Sequence, residues 1–269
     1  MLLLILIWIY SSYGKEVILS SGLGNWNHDQ LLYQYNAYGA YANMKIITAA
    51  SLLIYNLDDD GNLGVYETND INWTAEKYQL DVSTNFKLKS VPCLYCDATQ
   101  GMCINLSEKL EKLYKHQDEF IKGTITKPWD GYVVDFEPDE NVDKDKLTDF
   151  IIKWGIKLHT YNKTLTIWTG ASTAYDMTKL NNISNIINLI SMDTYVNDYD
   201  TFINNAGNLI ISTNQIPRIG FGLLTDNLPD TELIKIIKWL HNIPCFGLSI
   251  WASIIPPSWY ESLYSYLNL

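Results

Sequence analysis

Eight short runs rich in β-branched and aromatic residues recur along the chain, and from the middle onward they alternate with longer segments of helical spacing. That is the pattern of βα units wound around a parallel sheet. The runs are Glu16 to Ser20, Lys45 to Leu53, Ser90 to Tyr95, Gly131 to Glu137, Thr164 to Thr169, Ile187 to Asp193, Arg218 to Leu223 and Phe246 to Trp251. Helical spacing occurs in Leu106 to Ile121, Val142 to Tyr161, Tyr199 to Thr213, Asp230 to Asn242 and Ser258 to Leu267. Eight such strands close into a single (β/α)8 TIM barrel, an α/β fold of typically about 250 residues whose active site lies at the C-terminal ends of the strands. The stretch from Tyr55 to Lys89 carries Asp58-Asp59-Asp60-Gly61 and little periodicity, and is assigned to decoration of the barrel mouth. No repeat, low-complexity tract or linker divides the chain.

Residues 1–14 are read separately. Met1 to Tyr10 is almost wholly apolar and Ser12-Tyr13-Gly14 offers small residues for cleavage, while the run is shorter than the roughly 20 residues needed to span a bilayer. A signal peptide over 1–14 is expected, followed by one barrel domain over 15–269 in a secreted or lumenal protein with no membrane association after cleavage. Secretion makes Asn72, Asn105, Asn162 and Asn182 glycan acceptors. It also permits cysteine oxidation, and a Cys96–Cys103 bridge is the preferred pairing, with Cys93 and Cys245 free and buried in strands. Zinc at Cys93-Leu94-Tyr95-Cys96 lacks a second pair or a histidine at usable spacing. The four histidines, His28, His116, His159 and His241, fall in helices or at their edges and are expected to face solvent. No metal and no cofactor is expected.

Within this frame Gly131 to Glu137 is the strand that carries chemistry. It opens on an Asp-Gly turn and stops at Pro138. Side chains alternate along a strand, so Val133, Asp135 and Glu137 share one face and Tyr132, Val134 and Phe136 the other. Two carboxylates two residues apart on a buried face are costly, and one of them is driven to hold a proton. A carboxyl held protonated near neutral pH is a general acid. Glu137, at the strand end, is the better-placed acid, and Asp135, one pleat deeper, the better-placed orienting anion. The formal charge of -11 with 19 basic residues argues against nucleic acid or an anionic membrane as partner and favours a neutral ligand.

Asp130-Gly131-Tyr132-Val133-Val134-Asp135-Phe136-Glu137 resembles the D-G-x-D-x-D-x-E signature of glycoside hydrolase family 18, the chitinases, chitobiases and related endo-N-acetylglucosaminidases. Every specified letter matches except the innermost aspartate, where Val133 stands. The resemblance implies that Glu137 is acid and base and that Asp135 positions the substrate's N-acetyl group, while Asp130, the first letter, is assigned to substrate binding. Met192-Asp193-Thr194-Tyr195 looks like the family's M-x-Y-D region with one residue inserted or rearranged, which makes Tyr195 the donor to the N-acetyl carbonyl and places Asp193 in the cleft. Trp251 ends the last run, as a tryptophan does in the family, and its indole suits the apolar face of a sugar. Trp26 and Trp168 also fall at strand ends and are assigned to the cleft.

The resemblance implies retaining hydrolysis of β-1,4-linked N-acetylglucosamine by a monomer, with the substrate's acetamide as nucleophile. Thr225 to Pro244 holds one helix and no inserted domain, so the cleft is expected to be open, and chitin oligosaccharides and N-glycans both remain as substrates. Two other readings stay open. Val133 keeps a catalytically dead glycan-binding lectin on the same barrel in play, and a conventional glycosidase would set Asp193 as nucleophile opposite Glu137.

Overall fold

The computed structural model describes residues 15–22, 27–70, 73–98, 103–138, 141–170, 174–183, 186–213, 218–252 and 254–268. The expected signal segment, Trp26 and Asn72 lie outside them. Eight strands form a closed parallel barrel: β1 (Glu16–Gly22), β2 (Ala49–Leu57), β5 (Cys93–Asp97), β6 (Gly131–Glu137), β7 (Thr164–Thr169), β8 (Ile187–Ser191), β9 (Ile219–Leu224) and β10 (Gly247–Trp251). Each pairs with its sequence neighbour, and β1 closes the ring by pairing both β10 and β2. Two short strands are additions. β3 (Leu63–Val65) runs antiparallel to the end of β2, and β4 (Lys89–Ser90) pairs its start. No helix among the described residues is long and apolar enough to cross a membrane.

All eight predicted strands are present, with β6 and β7 at their predicted bounds. The second is displaced, covering Ala49–Leu57 rather than Lys45 to Leu53. Lys45 has a left-handed backbone (φ 57) just after the helix His28–Asn43, and Ile46 and Ile47 are buried in the connection, so an apolar signal there belongs to a turn. The predicted helix Leu106 to Ile121 is two, Leu106–Lys115 and Gln117–Thr126, broken at His116.

Two barrel helices, His28–Asn43 and Ala75–Phe86, have no counterpart in the expected set, and the second corrects the assignment of Tyr55 to Lys89 wholly to the mouth. Both start with ordinary caps: Asn27 and Gln30 form a reciprocal capping box, and the Thr74 hydroxyl accepts from Lys77 N. Their buried faces mix amides, phenols and a hydroxyl with few aliphatic residues: Gln34, Tyr38 and Tyr41 beside Leu31 on one, and Tyr78, Gln79 and Ser83 beside Val82 on the other. Gln34 donates to Ser21 Oγ (2.6 Å) and accepts from Tyr78 Oη (3.1 Å).

Gln79 has a structural task. The partner of β2 passes from β4 to β5 through Val91-Pro92, between the Ala50–Ser90 and Leu53–Cys93 pairs, and the register slips by one residue just beyond, between Leu53 and Tyr55. The Gln79 carbonyl accepts Leu52 N (3.1 Å), and its amide nitrogen lies 3.0–3.1 Å from Ala50 O, Ser83 Oγ and Ser90 Oγ. One fully buried side chain thus satisfies the Leu52 amide and adds a second donor at Ala50 O, which already accepts from Val91 N.

Side chains inside the barrel form their own cluster, which includes Ile18, Leu53, Cys93, Tyr95, Val133, Trp168 and Ile190. The opposite faces pack against the helices. Behind β6, Tyr132 and Val134 meet Phe120, Phe150 and Trp154, Tyr132 Oη donates to Thr124 O (2.8 Å), and Trp154 Nε1 donates to Thr124 Oγ1 (2.8 Å). This clamp holds the strand from outside.

Cys96 and Cys103 are joined by a disulfide, and Cys93 and Cys245 are free and buried. Cys93 lies in β5 as expected, whereas Cys245 sits in the loop before β10. His28 is exposed as expected, with its Nδ1 2.5 Å from Oδ2 of buried Asp70, whereas the Nε2 atoms of His116 and His241 are buried, so the histidines do not all face solvent.

Gln79→Leu keeps the volume but strands the Leu52 amide. It is expected to lower stability by about 1–3 kcal/mol, the cost of an unsatisfied buried donor, as measured by urea denaturation. A stability equal to wild type would show that these hydrogen bonds contribute nothing net.

Candidate active site

The C-terminal half of β6 points its polar face into the barrel. Val133 packs within the interior cluster, Asp135 above it is 3% exposed, and Glu137 at the rim is half-buried. The neighbouring strand runs in register, with Cys93 beside Val133, Tyr95 beside Asp135 and Asp97 beside Glu137. Residues paired across parallel strands share a face at about 4.8 Å between strands, so Asp97 is a third carboxylate of the same wall. It is fully buried and accepts a hydrogen bond from Tyr95 Oη (3.1 Å). Sequence reasoning missed Asp97 because its strand was ended at Tyr95. Carrying the apolar run Cys93-Leu94-Tyr95-Cys96 one residue further, with strict alternation, would have placed it.

The electrostatics follow from this crowding. Burial pushes the Asp135 carboxyl well above the usual carboxylate range, and Glu137 and Asp97 push it further. Burial raises Glu137 as well, with Asp97 as the next cause. One oxygen of Asp135, Oδ1, is buried without a hydrogen-bond partner. A wall of this kind cannot carry three full negative charges at neutral pH.

Beside Glu137 lies a cavity of about 340 Å³, lined among others by Trp168, Thr169, Tyr175, Met192 and Asp193. That is within the roughly 300–1,000 Å³ usual for small-molecule sites. Tyr195, in the loop after β8, is half-buried, its hydroxyl is buried without a partner, and burial followed by Asp135 raises its phenol. The loop is tied down by Thr194, whose hydroxyl donates to Ser191 O and accepts from Gly222 N. Gly222 leaves room for the tyrosine, since a Cβ there would lie 2.5 Å from Tyr195 Cε1. Trp168 stands edge-on to both Tyr195 (6.5 Å between centroids) and Trp251 (5.5 Å), and its Nε1 is buried without a partner.

The structure thus brings Glu137, Asp135, Tyr195, Asp193, Trp168 and Trp251 to one end of the barrel. Asp130 is not with them, which corrects its assignment to substrate binding. It precedes β6 at the opposite end, about 23 Å from Glu137 at roughly 3.3 Å per residue. There its carboxylate accepts from Ser90 N (2.8 Å) and its carbonyl from Thr164 N. Gly131 beside it is required because a Cβ would meet Thr164 Oγ1 at 2.2 Å. Trp26 lies outside the described residues. Among the described residues no group of three His, Cys, Asp or Glu side chains is placed to hold a metal ion.

In sequence, no family model and no curated protein matches the chain. In structure, it resembles a chitinase from Chromobacterium violaceum (TM-score 0.72, 12% identity, 94% of this chain and 99% of that one). It also resembles the GH18 chitinase ChiB from Flavobacterium johnsoniae (TM-score 0.70, 12% identity, 96% and 95%). A third similar structure is a mutant of catalytic domain 2 of the Ostrinia furnacalis Group II chitinase in complex with penta-N-acetylchitooctaose (TM-score 0.52, 16% identity, 78% and 64%).

Because Asp135 holds its proton more tightly folded than unfolded, the folded state binds more protons between the two pKa values, and stability falls as pH rises through that window. Asp135→Asn should therefore be more stable than wild type at pH 7 by at least about 1 kcal/mol, with the difference closing below about pH 4. Thermal unfolding across pH measures this. A wild type more stable than the variant at pH 7 would mean that Asp135 is not an uncompensated buried charge.

Proposed function

We propose that this protein, whose barrel has the fold of GH18 chitinases, is a retaining glycosidase acting on β-1,4-linked N-acetylglucosamine with the substrate's acetamide as nucleophile. The observation that supports the reading best is the stacking of Asp135 beneath Glu137 on the interior face of β6, beside an open cavity. The assignment of secretion belongs to the same proposal, since an extracellular or lumenal compartment is where such glycans lie.

Glu137 enters the reaction protonated. It gives its proton to the glycosidic oxygen as the acetamide oxygen attacks the anomeric carbon and the bond to the leaving sugar breaks. Asp135 accepts the acetamide N–H through an unprotonated carboxyl oxygen, and the Tyr195 hydroxyl donates to the acetamide carbonyl, so the forming oxazolinium is held in place. Glu137, now a carboxylate, takes a proton from water as that water opens the ring at the same carbon. The product keeps its anomeric configuration and Glu137 is reprotonated. Trp251 and Trp168 supply apolar faces for the sugar, and Asp193 a polar contact at the cavity edge.

Val133 favours a second reading, a glycan-binding protein without turnover, because the innermost position of the wall carries no charge. Release of a fluorophore from a chitobiose glycoside decides between them. Wild type should turn over, Glu137→Gln should lose about 10²–10⁴-fold in kcat as expected for removal of a general acid, and a chitobiose thiazoline should inhibit. Binding without turnover would establish the lectin reading. Hydrolysis of substrates lacking the 2-acetamido group would instead point to Asp193 as a protein nucleophile.

A further inference from the structure

We propose that Asp97 is a positioning residue of this site, a carboxylate on the adjacent strand that holds Glu137 in its acid form. The inference rests on the reading of Glu137 as the acid and goes beyond it, because neither the strand motif nor the fold assigns Asp97 a role.

The geometry leaves Asp97 little alternative. It pairs in register with Glu137 across the β5–β6 ladder, and the Ala98 amide donates to Glu137 O (3.1 Å), so the two backbones are fastened at that level. Its carboxylate lies on the interior side, as shown by the bond from Tyr95 Oη, a ring of the interior cluster. Backbone hydrogen bonding from Cys103 N to Asp97 O, together with the Cys96–Cys103 disulfide, fastens the end of the strand. The aspartate therefore cannot swing out to water, and its field reaches Glu137 through protein.

Other groups facing Glu137 do not supply this charge equally. From β6 itself comes Asp135, as buried as Asp97 but with its Oδ1 lacking a hydrogen-bond partner and with both neighbouring carboxyls raising it, hence the carboxyl most driven to be neutral. From β5 comes Tyr95, and from the loops after β7 and β8 come Tyr175 and Tyr195, all phenols raised by burial and therefore neutral. Asp193 lines the cavity from the loop after β8. Beneath them, Val133 and Cys93 form an uncharged floor, with burial keeping the thiol protonated. Asp97, stabilised as an anion by the Tyr95 hydroxyl, is the charge next to Glu137. After burial, its charge is the next cause of the rise in that carboxyl.

The test reads Glu137 without relying on turnover. In protein labelled with ¹³C at the glutamate carboxyls, the Glu137 signal is the one missing from Glu137→Gln. Asp97→Asn keeps shape and the acceptor for Tyr95 but removes the charge, and should move the Glu137 titration down by about one pH unit. Asp97→Glu keeps the charge and should leave it close to wild type, whereas a merely structural role would be disturbed by both. The basic limb of kcat/KM for a chitobiose glycoside should move down by the same amount in Asp97→Asn. An unchanged Glu137 titration in Asp97→Asn overturns the assignment. Should that variant not fold, Tyr95→Phe makes Asp97 harder to ionise and should lower the Glu137 titration in the same direction, and no shift there overturns it equally. A wild type that shows the raised titration and the Asp97 effect but hydrolyses nothing would refute the glycosidase reading alone.

Discussion

Three carboxyl groups on the interior of two adjacent parallel strands repel one another, and the barrel gives them little water in which to relax. Asp97, Asp135 and Glu137 are stacked and paired by the backbone ladder, so their spacing is set by strand geometry and cannot adjust to relieve the repulsion. The group must then share fewer charges than it has carboxyls. That is a destabilising arrangement in the resting protein, and the surrounding structure tolerates it by holding β6 from behind with an aromatic cluster and by seating Tyr95 against Asp97. The same crowding raises the proton affinity of Glu137 at the strand end, beside the cavity.

The scaffold that imposes this geometry is irregular near its beginning. The break in the β2 ladder and the Val91-Pro92 step could have loosened β5, the strand that carries Asp97. Gln79 prevents this by bonding the backbone of β2 and the Ser90 hydroxyl from the helix side. Thr194 does comparable work on the other side of the site, fastening the loop that carries Tyr195 to β8 and β9. Polar side chains thus hold the two walls of the cavity where the sheet hydrogen bonds alone do not.

The strands were legible because a strand buried on both faces must be apolar throughout, and eight such runs have few ways to close. The longer helices of the last two-thirds were legible for a related reason, since their buried stripes are largely apolar, whereas the five-residue helix Met177–Asn181 is too short to show a period. His28–Asn43 and Ala75–Phe86 were not, because their core faces are built of Gln34, Tyr38, Tyr78 and Gln79, whose polar ends find partners only once the barrel is assembled. Asp130 misled for the opposite reason. Nearness in a motif is nearness in space only within a turn or a pleat, and the length of β6 carries its two ends to opposite mouths of the barrel.

The sequence by itself determined that Asp135 and Glu137 share a face, because the period of a strand is a local property of the backbone. It determined the parallel closed sheet as well, through the count and spacing of its apolar runs. Only the tertiary structure decided which carboxylate stands beside Glu137, that Tyr195 packs over Gly222 beside Trp168, and that Trp168 and Trp251 meet edge to face. Those facts depend on the register between strands distant in sequence. Register is a property of pairs of segments, fixed when the ring closes, and no single run of residues contains it.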